Sequence, residues 1–334
     1  MRVYYSDIEI FQPLSEQNFP LTARLQLNIE VNGMNGLTRI WKREWPLHFM
    51  LIPGLFLVLL FSYVPMAGII MAFQKYVPNK GLFGSPFIGM KNFQLLIDYP
   101  DIGRIFFNTM FIAVMKIAAG LFVPITIAIL LNELRREWIK RTFQTLVYLP
   151  HFMSWVLLSG ILVDILSPSS GIFNQVLGWF GVKPIFFLGS NDWFPYVMVA
   201  SDVWKEFGFG TIVYLAALTS INPSLYEAAA MDGAGRIKQT FYVTLPGMMP
   251  IIVLMLTLNI GNVLNAGFEQ IFNLYSPPVY ESADIIDTFV YRMGVQQAQF
   301  GFATAVGLLK SIVSFLFVSL SYVLAYRLAN YRIF

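Results

Sequence analysis

The sequence predicts an all-α integral membrane protein, and two observations carry that prediction. Hydrophobic residues make up 57% of the 334 residues and charged residues only 12%, about half the charged fraction of a typical soluble domain. The apolar residues also fall into runs close to the roughly 20 residues with which a helix crosses about 30 Å of hydrocarbon. The runs do not alternate with period two, which argues against a membrane β-barrel.

Six segments are predicted to span the membrane. They cover about 47–73, 105–131, 143–166, 194–219, 248–272 and 303–328. Lys and Arg are more than twice as frequent in the two chain ends and in the loops after spans two and four as in the other loops. Positive residues favour the cytoplasmic side, so both termini and those two loops are expected in the cytoplasm. Outside, residues 277–299 suit an amphipathic helix at the outer mouth.

The first forty residues differ from the rest of the chain. They mix polar and apolar residues without a clear period and lack the apolar core of a signal peptide. Residues 1–40 are therefore expected to be a poorly ordered cytoplasmic tail, and residues 41–334 a six-helix membrane domain. Met34 begins a short basic lead, MNGLTRIWKREWPL, so a translation start at Met34 is a hypothesis.

Composition narrows the possible functions. The chain has no cysteine and only two histidines, His48 and His151, which leaves little material for a metal centre or a catalytic triad. It has no GxxxxGK[ST] segment, so it is not itself a P-loop ATPase. The net charge of +3 is spread out and does not indicate nucleic-acid binding. Gly208 and Gly210 lie within an apolar run, where they predict close helix packing and not a phosphate cradle.

The loop after span four has clear helix signals. Asn222 and Pro223 suit a helix start, three alanines at 228–230 allow close approach to another surface, and Gly233 suits the reversal that ends the helix. A second amphipathic piece, about 236–243, leads to Pro246, which is expected to break the pattern before span five. These features alone favour a surface hairpin that only connects two spans.

The residue types of this loop point further. EAAAMDGAG and the residues after it resemble the EAA loop of ABC-importer permeases. The matching positions are Glu227, Ala228, Ala229, Asp232, Gly233, Ala234, Phe241, Leu245, Pro246 and Pro250. The resemblance implies that loop 222–250 carries a coupling helix in a groove of a separate ATPase subunit. Glu227 would pair there with a basic residue of the ATPase, and Gly233 would permit the turn.

The likeness extends from about Trp41 onward. YLPHFMSW at 148–155, GIFNQVLGWFG at 171–181 and YLAALTSINPSLYEAA at 214–229 resemble carbohydrate-importer permeases of the maltose-permease class. FEQIFNLYSPPVYESADIIDTFVYRMG at 268–294 and QFGFATAVGLLKS at 299–311 look like the polysaccharide-permease branch. Its described members move oligosaccharides, including acidic ones such as alginate or pectin fragments. The fold implied is that of a type I ABC importer permease.

The resemblance also implies a set of partners. These are a second, non-identical permease subunit, two ATPase subunits that hold ATP and Mg, and an extracytoplasmic solute-binding protein that delivers the sugar. The chain itself would be a non-enzymatic half of the pathway, without a cofactor, in the lipid of a bacterial cytoplasmic membrane. The expected cycle is alternating access.

Polar residues within the spans are candidates for a substrate path, because polar groups in a bilayer are costly. In span five, Asn259, Asn262, Asn265 and Glu269 fall on one arc at 100° per residue. Hydrogen bonding between helices is the alternative; four residues on one arc favour a water-filled path. The resemblance makes Asn262 and Asn265 the nearest matches to sugar-binding positions.

Spans two, four and six add charged and aromatic candidates. Asp202, Lys205 and Glu206 could form an internally compensated cluster, while Phe209 could offer an aromatic face to a sugar ring. Lys116 lies near the middle of span two, where a buried partner or an anionic ligand is plausible. Lys310 lies nearer the outer third of span six and could face a carboxylate at the mouth.

Two other classes of function are compatible with an apolar chain of this kind. In a secondary transporter or channel, Lys116 and Glu269 would handle protons or ions. In an intramembrane enzyme, His48, His151, Asp164 and the serines would be the available groups, but neither histidine has a carboxylate three or four residues away.

Overall fold

The regular structure is helical throughout residues 45–134 and 136–329, the part of the chain that the computed structural model describes. The helices are α1 (Trp45–Phe73), α2 (Gly81–Gly84), α3 (Lys91–Ile97), α4 (Ile102–Asn132), α5 (Glu137–Tyr148), α6 (Trp155–Ile165), α7 (Ile172–Trp179), α8 (Phe194–Thr219), α9 (Pro223–Met231), α10 (Arg236–Gly261), α11 (Phe268–Leu274), α12 (Tyr280–Ala283), α13 (Ile286–Tyr291) and α14 (Phe300–Ala329). Those two ranges contain no β-strand. The expected tail at 1–40 and the hypothesis on Met34 lie outside them. The chain divides between Ala67 and Gly68, and every site considered below lies after that division.

Four of the helices in the described residues are long and apolar enough to cross a membrane: α1, α4, α10 and α14. A fifth crossing results if α5, extended to Phe152, and α6 count as one bent span. Helix α8 has the predicted bounds, 194–219, and 26 residues, but it carries Asp202, Lys205 and Glu206. The all-α membrane class is confirmed, and the count of six spans stays a prediction.

Span three was predicted as one helix over 143–166, and this is wrong. The chain bends by 105° between Phe152 and Trp155. Pro150 lies in a short 3-10 turn, Leu149–Phe152, where its missing N–H and its ring disfavour continuation of the α-helix. Ser154 then starts α6 by accepting a hydrogen bond from the Leu157 amide at 3.4 Å.

Span five was predicted over 248–272, and this is wrong as well. Helix α10 ends at Gly261, and α11 begins only at Phe268. The interval is rich in asparagine and glycine, which are poor helix formers. Gly267, with φ of +94°, takes the left-handed region that favours glycine. The arc of four polar residues is therefore divided, because Glu269 belongs to α11.

Pro246 does not break the helix as predicted, since α10 runs without interruption from Arg236 to Gly261. A π-helical turn at Thr240–Thr244 precedes the proline, and the Leu245 amide donates to the Thr240 carbonyl. The wider turn places Pro246 at the start of the following α-helical segment, where its missing N–H is tolerated. Residues 236–247 of the predicted loop thus belong to the same helix as span five.

The outer segment 277–299 is not a single amphipathic helix. It forms a 3-10 turn at Pro277–Val279, then α12 and α13, and a π-helical turn at Arg292–Gln296. Asp284 separates α12 from α13 in an extended conformation. Its side chain accepts hydrogen bonds from Thr288 Oγ1 at 2.8 Å and Arg292 Nη1 at 3.0 Å, which fixes the turn.

The prediction of close packing at Gly208 and Gly210 is confirmed. A Cβ atom at Gly208 would lie 2.0 Å from the Val147 carbonyl oxygen of α5, and one at Gly210 would lie 3.3 Å from Pro124 of α4. Helix α8 is therefore in near-backbone contact with α5 and close to α4. This packing places the polar residues of α8 beside those of α4.

Two apolar clusters lie on either side of these polar residues. One includes Ile112, Phe194, Met198 and Ile271, all fully buried, and joins α4, α8 and α11. The other joins α4, α8 and α10 through Ala128, Tyr214 and Met248. Between them, α10 gives way to α11.

Candidate functional site

A polar cavity of about 380 Å³ lies between α4, α8 and the end of α10. It is lined by six of the residues predicted to form a substrate path, namely Lys116, Glu206, Phe209, Asn259, Asn262 and Asn265. Asp202 and Gly267 complete its polar edge. Glu269 and Lys310 do not line it. A concave site with a few convergent polar groups is the usual form of a small-molecule site.

The helix break at 262–267 supplies one wall of the cavity. Short turns replace the helix there: the Asn262 amide donates to the Asn259 carbonyl at 2.9 Å, and the Asn265 amide donates to the Asn262 carbonyl at 2.8 Å. Both Asn262 and Asn265 have exposed side chains. Non-helical backbone within a membrane is tolerated where it lines a cavity or is buried in protein, and this break meets that condition.

Lys116 has a buried set of partners from its own chain. Its Nζ donates to the Ala266 carbonyl at 2.8 Å, to Asp202 Oδ1 at 3.1 Å and to Gln270 Oε1. Only 9% of the Lys116 side chain is exposed. Of the two alternatives that the sequence left open for Lys116, a buried partner is therefore the one observed.

Gln270 completes this network and was missed in the sequence. It is fully buried, and its Nε2 donates to the Met198 carbonyl and to Ser201 Oγ, each at 2.8 Å. The available signal was a fourth side-chain amide within the segment predicted as span five. Gln270 was left out because the predicted helical arc contains only the three asparagines and Glu269.

Glu206 belongs to a second polar cluster at the cavity. Lys205 Nζ donates to Glu206 Oε1 at 2.8 Å and to the His151 carbonyl at 3.0 Å. His151 Nδ1 lies 2.7 Å from Glu206 Oε2. The predicted single cluster of Asp202, Lys205 and Glu206 is thus divided, because Asp202 pairs with Lys116.

One face of Phe209 is already covered. The His151 ring stacks on it with 4.2 Å between centroids and an interplanar angle of 4°, while 47% of Phe209 is still exposed. The contact of His151 with Glu206 could not be inferred from carboxylates three or four residues away in the sequence, because Glu206 is 55 positions distant.

Lys310 lies apart from the cavity. It pairs with Asp287 of α13, and both side chains are 22% exposed. It borders a mostly apolar groove with Leu264 and Ile286. Since Lys116 and Glu269 do not share a cavity either, the arrangement does not favour an ion path through these two residues.

The outer segment next to Lys310 is held in place by contacts with α4 and by contacts among its own residues. Asn108 of α4 donates to the carbonyls of Glu281 at 2.9 Å and Asp284 at 3.2 Å. Tyr275 stacks on Tyr280 with 5.1 Å between ring centroids. Burial, with the neighbouring Tyr280, raises the pKa of Tyr275 to about 12.

The loop after α8 has the predicted local structure. Asn222 Oδ1 accepts from the Ser224 amide at 3.0 Å, α9 begins at Pro223, and Gly233 ends the turn with φ of +77°. The side chains of Glu227 and Asp232 form no hydrogen bond or ion pair within the described part of the chain. Met231 is 89% exposed and Tyr242 79% exposed, so this surface is largely free within the chain.

Comparison with known proteins identifies the class. Residues 120–330 match the family of binding-protein-dependent transport system inner membrane components. The chain belongs to this family, and it is therefore a permease of a binding-protein-dependent transport system. The resemblance to ABC-importer permeases is confirmed.

Individual relatives narrow the branch. The chain is 41% identical over 288 residues to the polygalacturonan/rhamnogalacturonan transport system permease protein YteP of Bacillus subtilis (strain 168), covering 86% of this chain and 90% of the relative. It is 38% identical over 286 residues to the protein LplB of the same strain, with the same coverage.

Two solved structures have the same fold. A bacterial ABC transporter involved in the import of the acidic polysaccharide alginate matches with a TM-score of 0.81 and 39% identity, over 87% of this chain and 99% of that one. A bacterial alginate ABC transporter in complex with its alginate pentasaccharide-bound periplasmic protein matches with a TM-score of 0.80 and 38% identity, over 86% of this chain and 96% of that one.

Proposed function

We propose that this chain forms half of the translocation pathway of an ATP-driven importer of oligosaccharides, with acidic oligosaccharides such as pectin or alginate fragments among its cargo. The observation that carries the proposal is the polar cavity at the helix break. Relatives of the chain in sequence and structure belong to transport systems for polygalacturonan, rhamnogalacturonan and alginate, which supports the class of cargo.

The chemistry of the cavity suits a sugar. Side-chain amides both donate and accept hydrogen bonds, as sugar hydroxyls do, and Asn259, Asn262 and Asn265 present three amides to one space. The exposed part of Phe209 offers an apolar surface for a sugar ring. We propose these residues and Glu206 as the sugar-contacting set.

An acidic cargo needs a cation, but Lys116, which lines the cavity, and Lys205, which lies beside it, are both already paired. Lys205 pairs with Glu206, and Lys116 pairs with Asp202. We propose Lys116 as the cation for a cargo carboxylate only in a state where that carboxylate replaces Asp202. Lys310, paired with Asp287, is proposed to act at the outer end.

The membrane arrangement follows from the same proposal. The bent pair α5–α6 serves as span three and α8 as span four, which gives six spans with both termini in the cytoplasm of a bacterial cell. The three charges of α8 are tolerated because they are paired within the protein. A second, non-identical permease subunit would supply the other half of the pathway.

Coupling is assigned to loop 222–250. Glu227, Ala228, Ala229, Asp232, Gly233 and Ala234 would dock on one of two ATPase subunits that bind ATP and Mg, with Phe241, Leu245 and Pro246 on the adjoining helix. The exposed apolar side chains and unpaired carboxylates of this surface support such a partner. A solute-binding protein outside the cell would deliver the sugar.

The proposal is tested by uptake into vesicles that contain the assembled transporter and its binding protein, with a panel of acidic and neutral oligosaccharides. Asn262→Ala and Asn265→Ala each remove hydrogen bonds worth about 1 kcal/mol, so the KM for uptake should rise roughly fivefold per substitution. Asn273→Ala is the matched control, because Asn273 is an exposed amide outside the cavity. If uptake in all three variants equals that of the unchanged transporter, the asparagines do not contact the sugar and have a packing role only.

A further inference from the structure

The two sides of the helix break are held very differently. On the side of α10, the chain is one continuous helix from Arg236 at the coupling loop to Gly261. On the side of α11, the backbone is tied to α4 and α8 through polar side chains. The break therefore separates a helix that continues from the coupling loop, packed on α4 and α8 through apolar side chains, from a segment held to the same two helices by polar side chains.

Lys116 is the centre of that fastening. Its three donor hydrogens meet three acceptors: the Ala266 carbonyl in the break, Gln270 Oε1 in α11 and Asp202 Oδ1 in α8. Gln270 in turn donates to the Met198 carbonyl and to Ser201 of α8. One ammonium group of α4 thus joins three elements, with the Ala266 carbonyl relieved of the need for a helical partner.

The backbone of the break fits this ammonium group closely. A Cβ atom at Gly267 would lie 2.7 Å from Lys116 Nζ. Gly267 is thus favoured by its φ of +94°, and a side chain there would in addition displace the lysine ammonium group. Asn265, which faces the cavity, lies one residue before the carbonyl that Lys116 holds.

We propose that Lys116 is a positioning residue that holds the α11 side of the break, and with it Asn265, fixed while α10 pivots about residues 262–267. Asn259 lies on α10 and would move with the coupling loop, so the spacing of the cavity amides would change with the motor. This inference rests on the proposed function for its meaning in transport. The positioning itself is a property of the chain and is tested without any cargo.

The chain has no cysteine, so single cysteines report local accessibility. Asn265→Cys and Asn259→Cys are made separately, and the rate of labelling by a small methanethiosulfonate reagent is measured in the assembled transporter, with cysteine-free partner subunits. Each is then combined with Lys116→Met/Asp202→Asn. This double substitution keeps the net charge of the pair at zero, so it removes the hydrogen bonds without leaving an unpaired charge in the membrane.

The expected result is selective. Hydrogen bonds to a charged group contribute enough that their loss should raise the labelling rate at position 265 about tenfold. The rate at position 259 should change by less than about twofold, because α10 is held by other contacts. No rise at position 265, or an equal rise at both positions, would overturn the proposal.

A second variant covers the case in which the double substitution does not assemble. Gly267→Ala keeps both charges but forces the break away from Lys116, and it should raise labelling at 265 in the same selective way. These measurements do not depend on which solute is carried. A failed sugar-uptake test with selective labelling would reject the proposed cargo site and leave the positioning role standing, and the reverse outcome would reject only the positioning role.

Discussion

The two ends of α10 contrast in how their polar groups are satisfied. At the end proposed for coupling, Glu227 and Asp232 have no side-chain partner among the described residues, and Met231 and Tyr242 are largely exposed. At the other end, Lys116, Asp202 and Gln270 satisfy one another within the chain. The polar side chains near the first end thus lack partners within the described residues, whereas those near the second end have them.

This contrast is the one expected if the first end is a docking surface and the second a binding cavity, as proposed. A surface that keeps exposed apolar groups and unpaired acids is typical of a site for another protein. A cavity whose charges are compensated internally leaves its neutral amides as the groups offered to a ligand. Substitutions at the two ends should therefore affect different properties of the transporter.

The largest effect is expected at the cavity end. Asp202→Ala leaves Lys116 with a buried, unpaired charge, and loss of one partner of a buried pair costs about 3 kcal/mol or more. The thermal stability of the purified permease should fall accordingly. The control is Asp101→Ala, which removes an exposed pair with Arg104, the side chains being 55% and 52% exposed, and should cost less than about 1 kcal/mol. Equal losses in both variants would contradict the buried pairing.

Next in size is a charge reversal at the docking surface. Glu227→Lys should weaken the ATPase complex by about 2 kcal/mol, or roughly thirtyfold, because a carboxylate paired across an interface is replaced by a like charge. Permease stability should be unchanged. Glu137→Lys, an exposed acid at the start of α5, is the control. ATPase retention that is identical in the two variants would remove Glu227 from the interface.

A smaller effect isolates backbone conformation in the docking turn. Gly233 has φ of +77° and Gly235 has φ of −68°, and a Cβ atom at either would meet no atom within 4 Å. Gly233→Ala should therefore weaken the binding free energy of the ATPase by about 1 kcal/mol, because alanine is strained in the left-handed conformation of the docking turn. Gly235→Ala should leave the binding free energy nearly unchanged. ATPase affinity measured on both variants checks this difference, and similar affinities would exclude φ as the cause.

The smallest effect concerns an exposed ion pair near the docking surface. Arg236 Nη1 lies 2.7 Å from Glu133 Oε2, with side chains 62% and 46% exposed. Arg236→Ala should change stability by about 0.5 kcal/mol at low salt and by less at high salt. A double-substitution cycle with Glu133→Ala measures the pair, and a coupling energy independent of salt would contradict its exposure.

Sequence patterns predicted the long regular elements well. The bounds of α8 agree with the prediction because its ends carry turn residues, although three charged residues interrupt its apolar run. The loop after it was predicted from Asn222 and Gly233, which act through local backbone chemistry. Such features depend on neighbours in sequence, so they can be inferred without the fold.

The break in span five and the bend in span three were missed although local signals mark both. Pro150 and Ser154 lie at the bend, and two asparagines and Gly267 lie at the break, but the predicted spans followed apolar composition, which continues past these residues. Five polar cavity residues were nevertheless found, because their polarity in an apolar run does not depend on the exact helix, and Phe209 was found as an aromatic residue beside Glu206. His151 and Gln270 were missed because their partners are distant in sequence or on a neighbouring helix.

The contact at Gly208 also limits how such a chain can diverge. Any other side chain there would place an atom 2.0 Å from the Val147 carbonyl, so no single replacement is accepted unless the main chain of α5 shifts as well. At Gly210, where the nearest atom would be a proline carbon at 3.3 Å, alanine needs only a small adjustment. Position 208 should therefore be inherited unchanged among descendants that keep this packing, while position 210 drifts.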